Sequence, residues 1–209
     1  MHTRKLNQQN TSLRDASIDK WFASDNQFHQ LYPAAVHTQA SMHWTPLHIA
    51  RKAAEFLAVE KQTKILDIGS GTGKFCLAAA YYYPDASYYG IEQRGDMVAY
   101  ADTARAILSL PQVSFIHENI LRIDLGEYDH FYFFNAFFEN LDDSYKIDDS
   151  VTYSRELYAQ YSRYLFKQLD KKPSGTRLAT FHSTENEIPG EYHQVGSAAD
   201  DLLKFWIKI

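Results

Sequence analysis

The sequence predicts an α/β fold in which a doubly wound, mostly parallel seven-stranded sheet ends in a C-terminal antiparallel hairpin. From residue 64 onward, short apolar runs typical of strands alternate with longer segments that have helical spacing. This alternation is the pattern of parallel α/β proteins. The last two apolar runs instead flank the polar residues 196–201, as the two strands of a hairpin flank their turn.

The predicted elements follow one another along the chain. A helix begins near Thr45 and Pro46, because threonine favours the N-cap and proline the first helical turn. Residues 1–44 precede it as a mainly helical or irregular N-terminal extension, and residues 45–209 form the domain. Helices are predicted over residues 75–83, 97–110 and 151–169. Strands are predicted over residues 64–68, 87–92, 113–118, 130–134, 177–182, 192–195 and 202–209.

Composition and charge limit the possible partners. The chain has 209 residues, of which 45% are hydrophobic and 22% charged, as in ordinary globular proteins. No apolar run approaches the roughly 20 residues of a membrane-spanning helix, and the polar first residues lack a secretory signal. We therefore expect a cytoplasmic protein with no membrane partner. The net charge of −5 makes nucleic acid an unfavourable partner, because binding to it depends largely on neutralising phosphates.

A glycine-rich turn, DIGSGTG, occupies residues 67–73 between the first strand and the next helix. A dinucleotide-binding turn would need glycine at position 74, where Lys74 stands. A phosphate-binding loop would need glycine at 68 and a hydroxyl residue at 75, which are Ile68 and Phe75. The spacing therefore disfavours a nicotinamide-dependent oxidoreductase and a phosphate-loop nucleotide site.

The spacing of Asp67, Gly69, Gly71 and Gly73 resembles the first motif of class I methyltransferases, and the resemblance extends over roughly residues 45–209. It implies that S-adenosylmethionine (SAM) is the cofactor and that these four residues hold it. The glycines let the backbone approach a ligand closely. Asp67 can orient the turn amides and the ammonium group of the cofactor.

Acidic and polar residues end the next two predicted strands. Glu92 ends the second strand, where a carboxylate can bind both hydroxyls of a ribose, as in dinucleotide sites. The family resemblance also implies that Glu118 and Asn119, at the end of the third strand, contact the adenine. All three residues are therefore predicted to bind the cofactor.

The methyl acceptor is expected beside residues 135–140, at the end of the fourth strand. This edge resembles that of amino-directed methyltransferases, in which an Asn or Asp and an aromatic residue flank a centre that often contains proline. Asn135 and Phe138 match that pattern, whereas Ala136 and Phe137 depart from it, which disfavours a planar base amine as acceptor. The same Asn-Phe-rich stretch resembles that of non-SET histone-lysine methyltransferases. A purely structural alternative makes Asn135 a turn cap and the two phenylalanines core residues.

Aromatic and imidazole side chains just before the domain are candidates for a lid over the substrate: Tyr32, His43 and Trp44. Packing of the extension on the sheet is the alternative interpretation. His43 is also a predicted catalytic residue, because an ammonium or hydroxyl acceptor would need a base. Glu139 is the other candidate for that base.

The sequence thus predicts SAM-dependent methyl transfer, and the favoured acceptor is a nitrogen of a protein or small molecule. A nucleic-acid base methyltransferase and a non-catalytic SAM-binding module are the alternatives. No metal is predicted, because His37, His43 and His48 lack the spacing of a dedicated site. The single cysteine, Cys76, lies in an apolar helix and is expected in the core.

Overall fold

A computed structural model describes residues 18–209, so the first 17 residues of the predicted extension lie outside it. Within the described range, seven strands form one sheet and four helices are longer than two turns. The strands are β1 (Lys64–Ile68), β2 (Ser87–Glu92), β3 (Val113–His117), β4 (His130–Phe133), β5 (Arg177–Phe181), β6 (Tyr192–Ala198) and β7 (Leu203–Lys208). The helices are α1 (Leu47–Leu57), α2 (Lys74–Tyr82), α3 (Gly95–Leu108) and α4 (Arg155–Asp170).

The strand order in the sheet is β3-β2-β1-β4-β5-β7-β6. The first five strands in this order pair in parallel. Strand β7 is antiparallel to both β5 and β6, which confirms the predicted hairpin and the α/β fold class. The chain leaves β1 toward β2 on one side and returns as β4 on the other, so the order reverses at β1. Ligands of open α/β sheets bind outside the carboxyl ends of the strands at such a point.

Apolar residues of the central strands make the core on both faces of the sheet. The inner part of β1 is fully buried, as a parallel strand covered by helices on both sides should be. Tyr132 on β4 stacks on Phe75 of α2, with ring centroids 3.8 Å apart. Cys76 is buried beside Phe75, which confirms its place in the core.

The described part of the extension packs on the same core. Short helical segments span residues 20–43, and they bury Phe22, Phe28, Tyr32 and Trp44 in one cluster with α1 and α2. The division of the chain into residues 1–44 and 45–209 remains a prediction. No helix within residues 18–209 is long and apolar enough to cross a membrane.

Several element boundaries differ from the predicted ones by a few residues, and two of these differences have a local reason. Helix α4 begins at Arg155, because the Ser154 hydroxyl accepts a hydrogen bond from the Leu157 amide (3.1 Å) and caps the helix there. Strand β6 continues to Ala198, because a register shift between Gln194 and Gly196 lets it keep pairing with β7.

Candidate functional site

A cavity of about 880 Å³ opens at the carboxyl ends of the central strands, which is the usual size of a small-molecule site. It brings together most of the predicted site residues. Those that line it are Gly69, Gly71, Glu92, Glu118, Asn119, Asn135, Phe138, Glu139, His43 and Trp44. Asp67, Gly73 and Tyr32 do not line this cavity.

The three glycines of the turn have positive φ angles of 75°, 53° and 81°, which favour glycine over other residues. A Cβ on Gly69 would lie 2.3 Å from the Cβ of Ala136, and one on Gly73 would lie 2.3 Å from the ring of Phe115. A Cβ on Gly71 would meet nothing within 4 Å. The outer glycines thus permit close packing, while Gly71 borders open cavity space.

Asp67 is buried beneath the turn. The Cys76 thiol donates a weak hydrogen bond to its carboxyl group (3.7 Å), and burial raises the pKa of Asp67 to about 8. The side chain lines a second, much smaller cavity of about 30 Å³ beside Gly69. Ser70 and Thr72 also line it, and their buried hydroxyls have no hydrogen-bond partner among the described residues. Unpaired polar groups of this kind fit a polar ligand or a water molecule near the turn.

Glu92 ends β2 with its carboxylate fixed beside the glycine turn. One oxygen accepts a hydrogen bond from the Gly71 amide (3.2 Å), and the other accepts one from the Arg94 amide (3.0 Å). The residue is only 5% exposed, and what is exposed borders the large cavity. The backbone therefore holds this acid in place before any ligand binds.

Arg94 is the main site residue that the sequence analysis missed. Its side chain is 2% exposed, and its guanidinium contacts the carboxylates of Glu92 (3.3 Å) and Glu139 (2.6 Å). It also donates a hydrogen bond to the Tyr153 hydroxyl (2.6 Å). Burial raises the pKa of Glu139, although Arg94 opposes this shift. The only signal in the sequence was the position of Arg94, two residues after a strand-end acid.

Glu118 and Asn119 follow β3 and line the cavity, but local bonds engage both side chains. Glu118 accepts a hydrogen bond from the Asn119 amide (2.8 Å). The Asn119 side chain accepts one from Leu121 N (3.0 Å) and donates one to the Tyr161 hydroxyl (3.0 Å). Asn119 thus caps the short 3₁₀ turn that follows β3.

The acceptor edge begins at Asn135, a half-buried residue with a φ of 41°. Its carbonyl accepts a hydrogen bond from Phe138 N (3.1 Å), while no side-chain cap bond is made to the 3₁₀ turn of Phe138–Asn140. The Phe138 ring lies 4.9 Å from that of Tyr145. Phe137 is buried against Phe133, as the core interpretation expects (centroids 5.0 Å).

The extension contacts the glycine turn directly. The Tyr32 hydroxyl donates a hydrogen bond to the Thr72 carbonyl (2.9 Å). Trp44 is buried against Tyr32 with ring centroids 4.8 Å apart, whereas the half-buried His43 borders the cavity. Burial lowers the pKa of His43, and the positive charge of Arg94 lowers it further.

A short part of the chain is similar to a known methyltransferase. A tRNA (guanine-N(7)-)-methyltransferase from Synechococcus sp. (strain JA-3-3Ab) is 44% identical over 55 residues, which are 26% of this chain and 23% of that protein. The match thus spans less than a quarter of the relative's length.

Solved structures share the fold at low sequence identity. An RNA methyltransferase from Salinibacter ruber in complex with S-adenosyl-L-homocysteine gives a TM-score of 0.54 at 20% identity, covering 78% of this chain and 92% of that one. A SAM-dependent methyltransferase from Aquifex aeolicus gives 0.51 at 14% identity, covering 77% and 89%. A family model described as "Methyltransferase domain" matches residues 59–197, which is more than half of the chain. The chain therefore belongs to the methyltransferase-domain family, and its fold is the one seen in these two methyltransferase structures.

Proposed function

We propose that the protein transfers the methyl group of SAM to a nitrogen of a protein or of a small molecule. The observation that carries this proposal is the continuity of the large cavity. One continuous space is lined by Gly71 and Glu92 on the cofactor side and by Asn135 and Phe138 on the acceptor side. Cofactor and acceptor can therefore meet without a rearrangement of the sheet.

The residues on the cofactor side fit SAM. Gly71 leaves room where any other residue would place a side chain. In our proposal the Glu92 carboxylate binds the ribose hydroxyls, and Glu118 and Asn119 border the adenine. Asp67, Gly69 and Gly73 shape the turn. When bound, SAM supplies a methyl group that its sulfonium has already activated.

The main task of the chain is then to orient the acceptor. Such positioning contributes about 7–11 kcal/mol to catalysis in favourable cases. Asn135 is proposed to hold the acceptor nitrogen through its side-chain amide, and Phe138 to pack beside it. His43 is the better candidate for a base, because its lowered pKa favours a neutral imidazole that can accept a proton. Glu139 is already paired with Arg94.

The charge around the cavity supports a cationic amine as acceptor. Four carboxylates but only two cationic side chains, Lys74 and Arg94, line it among the described residues, and both cations are ion paired. Residues 141–150, which contribute Tyr145 and Ile147 to the lining, contain four aspartates and one lysine. This acidic border would repel phosphates and attract an ammonium group.

A nucleic-acid base is the second candidate acceptor. It is supported by similarity to the Synechococcus tRNA methyltransferase and to the Salinibacter RNA methyltransferase. The net charge of −5 and the acidic border of the cavity disfavour it.

Methyl-labelled SAM, incubated with the purified protein and a cell extract, tests the proposal. We expect the label either to be released by protease or to appear in the small-molecule fraction. Ribonuclease treatment should change neither result. A parallel reaction with Asn135→Gly, which suits the positive φ at this position, should transfer far less label. Label that only ribonuclease releases would favour the second candidate. No transfer to any fraction would favour a non-catalytic SAM-binding module.

A further inference from the structure

An ion pair between the extension and helix α2 lines the large cavity next to the glycine turn. Lys74 donates hydrogen bonds from Nζ to Asp25 Oδ1 (2.5 Å) and to His29 Nε2 (3.1 Å). All three residues line the cavity. Lys74 disfavours a dinucleotide-binding turn, and the methyltransferase motif does not account for it.

The pair retains binding capacity on both partners. A lysine ammonium has three N–H donors, and the contacts with Asp25 and His29 use two of them. Asp25 Oδ1 accepts hydrogen bonds from both Lys74 Nζ and the Leu47 amide. These two bonds leave the other carboxylate oxygen, Oδ2, unused. The Lys74 side chain is 3% exposed, whereas that of Asp25 is 40% exposed. The geometry thus offers one positive and one negative group side by side.

The location of the pair matches one end of the cofactor. Glu92 ends β2, and Glu118 follows β3, so the proposed adenosine site lies on the β2–β3 side of β1. Lys74 follows the turn after β1 and shares the small cavity with Gly69 and Phe134, on the β1–β4 side. A ligand held through its ribose at Glu92 therefore extends its remaining chain toward Lys74.

We infer that Asp25 and Lys74 bind the amino-acid end of SAM, with Lys74 contacting the carboxylate and Asp25 contacting the ammonium. This inference rests on the proposed placement of the cofactor and adds two partners to the glycine turn. A zwitterion beside an ion pair makes two charge-assisted contacts without leaving a buried charge unpaired. The extension is then part of the cofactor site, because it supplies Asp25.

The test compares two ligands that differ in this end. S-adenosylhomocysteine carries the amino-acid group, and 5′-methylthioadenosine lacks it. Calorimetry with the full chain should show that the wild type prefers S-adenosylhomocysteine. In Lys74→Met and in Asp25→Asn, that preference should fall about tenfold or more, because charge-assisted hydrogen bonds are lost. Affinity for 5′-methylthioadenosine should stay within a few fold.

Lys204→Met provides the matched control, since Lys204 also forms a 2.5 Å ion pair, with Glu185, but does not line the cavity. Its ligand preference should equal that of the wild type. If Lys74→Met or Asp25→Asn weakens both ligands equally, the pair only holds the extension in place and the inference is wrong. An unchanged preference in both variants also overturns it. If the wild type binds neither ligand, the proposed cofactor placement fails with it.

Discussion

Arg94 and Glu139 form a 2.6 Å ion pair inside the protein, with side chains only 2% and 8% exposed. Arg94 follows β2 and Glu139 follows β4, the two strands that flank β1 in the sheet. Because Arg94 also contacts Glu92, one guanidinium joins the proposed ribose ligand to the proposed acceptor edge. The ion pairs of Arg94 therefore link the cofactor side of the cavity to its acceptor side, in addition to the link that the sheet provides.

Replacement of Arg94 by methionine should destabilise the protein strongly. Removing one partner of a buried ion pair costs about 3–5 kcal/mol, because the other charge stays buried and uncompensated. Urea denaturation at pH 7 measures the loss. The double variant Arg94→Met, Glu139→Gln should be more stable than the single variant, since glutamine carries no charge. A single variant as stable as the wild type would show that the ion pair does not stabilise the fold.

Substitution Glu92→Gln should weaken binding of S-adenosylhomocysteine more than tenfold. Hydrogen bonds to a charged partner contribute about 1.5–3 kcal/mol, and the neutral amide replaces one accepting oxygen by a donor. Glu187→Gln is the control, because Glu187 is 1% exposed and does not line the cavity. Calorimetry on both variants decides the matter. Equal affinities in the two variants would mean that the ribose contact lies elsewhere.

Alanine substitutions at Gly71 and Gly175 distinguish the cost of backbone strain from the loss of space for a ligand. Gly71 and Gly175 have φ angles of 53° and 89°, and a Cβ on either would meet nothing within 4 Å. Alanine at each position should therefore cost a similar 1–2 kcal/mol, about the penalty of a left-handed conformation for a residue with a Cβ. Only Gly71→Ala should weaken S-adenosylhomocysteine binding, because only Gly71 lines the cavity. Unchanged binding by Gly71→Ala would contradict the cofactor placement.

The stability of the protein should depend on pH through Asp67. Burial raises its pKa to about 8 from the ordinary 3.8 of an aspartate in the unfolded chain. A carboxyl group with a raised pKa binds its proton more tightly in the folded state, so its contribution is fully present below pH 4. That contribution is lost as the pH rises through about 8. The free energy of unfolding of Asp67→Asn and of the wild type should be compared from pH 4 to 9. The variant should gain stability relative to the wild type as the pH rises. Parallel curves of unfolding free energy against pH would contradict a buried, protonated Asp67.

The periodic part of the fold could be predicted from the sequence because it depends on local patterns. The apolar run before Asp67 and the glycines after it predict strand, turn and helix from neighbouring residues alone. The pairing partners of Lys74 and Arg94 could not be predicted in this way. Asp25 lies 49 residues before Lys74, and Glu139 lies 45 residues after Arg94, so only the tertiary fold brings them together.

Some contacts of the site residues could also be predicted from the sequence, and others could not. The position of Glu92 at the end of β2 predicted an acid next to the turn, and Glu92 does accept a hydrogen bond from the Gly71 amide. The sequence could not show that the Asn119 side chain is hydrogen bonded to Leu121 and Tyr161, because Tyr161 lies in α4, far along the chain. Nor could it show that Asp67 is buried beneath the turn and does not line the large cavity.

The most direct test of the account is a calorimetric titration of the purified protein with S-adenosylhomocysteine, NAD and ATP. The glycine spacing, the open space at Gly71 and the fixed carboxylate of Glu92 predict binding of one S-adenosylhomocysteine per chain. They predict no comparable binding of NAD or ATP, because the turn lacks the residues of a dinucleotide or phosphate loop. Tight binding of NAD or ATP without binding of S-adenosylhomocysteine or SAM would contradict the account.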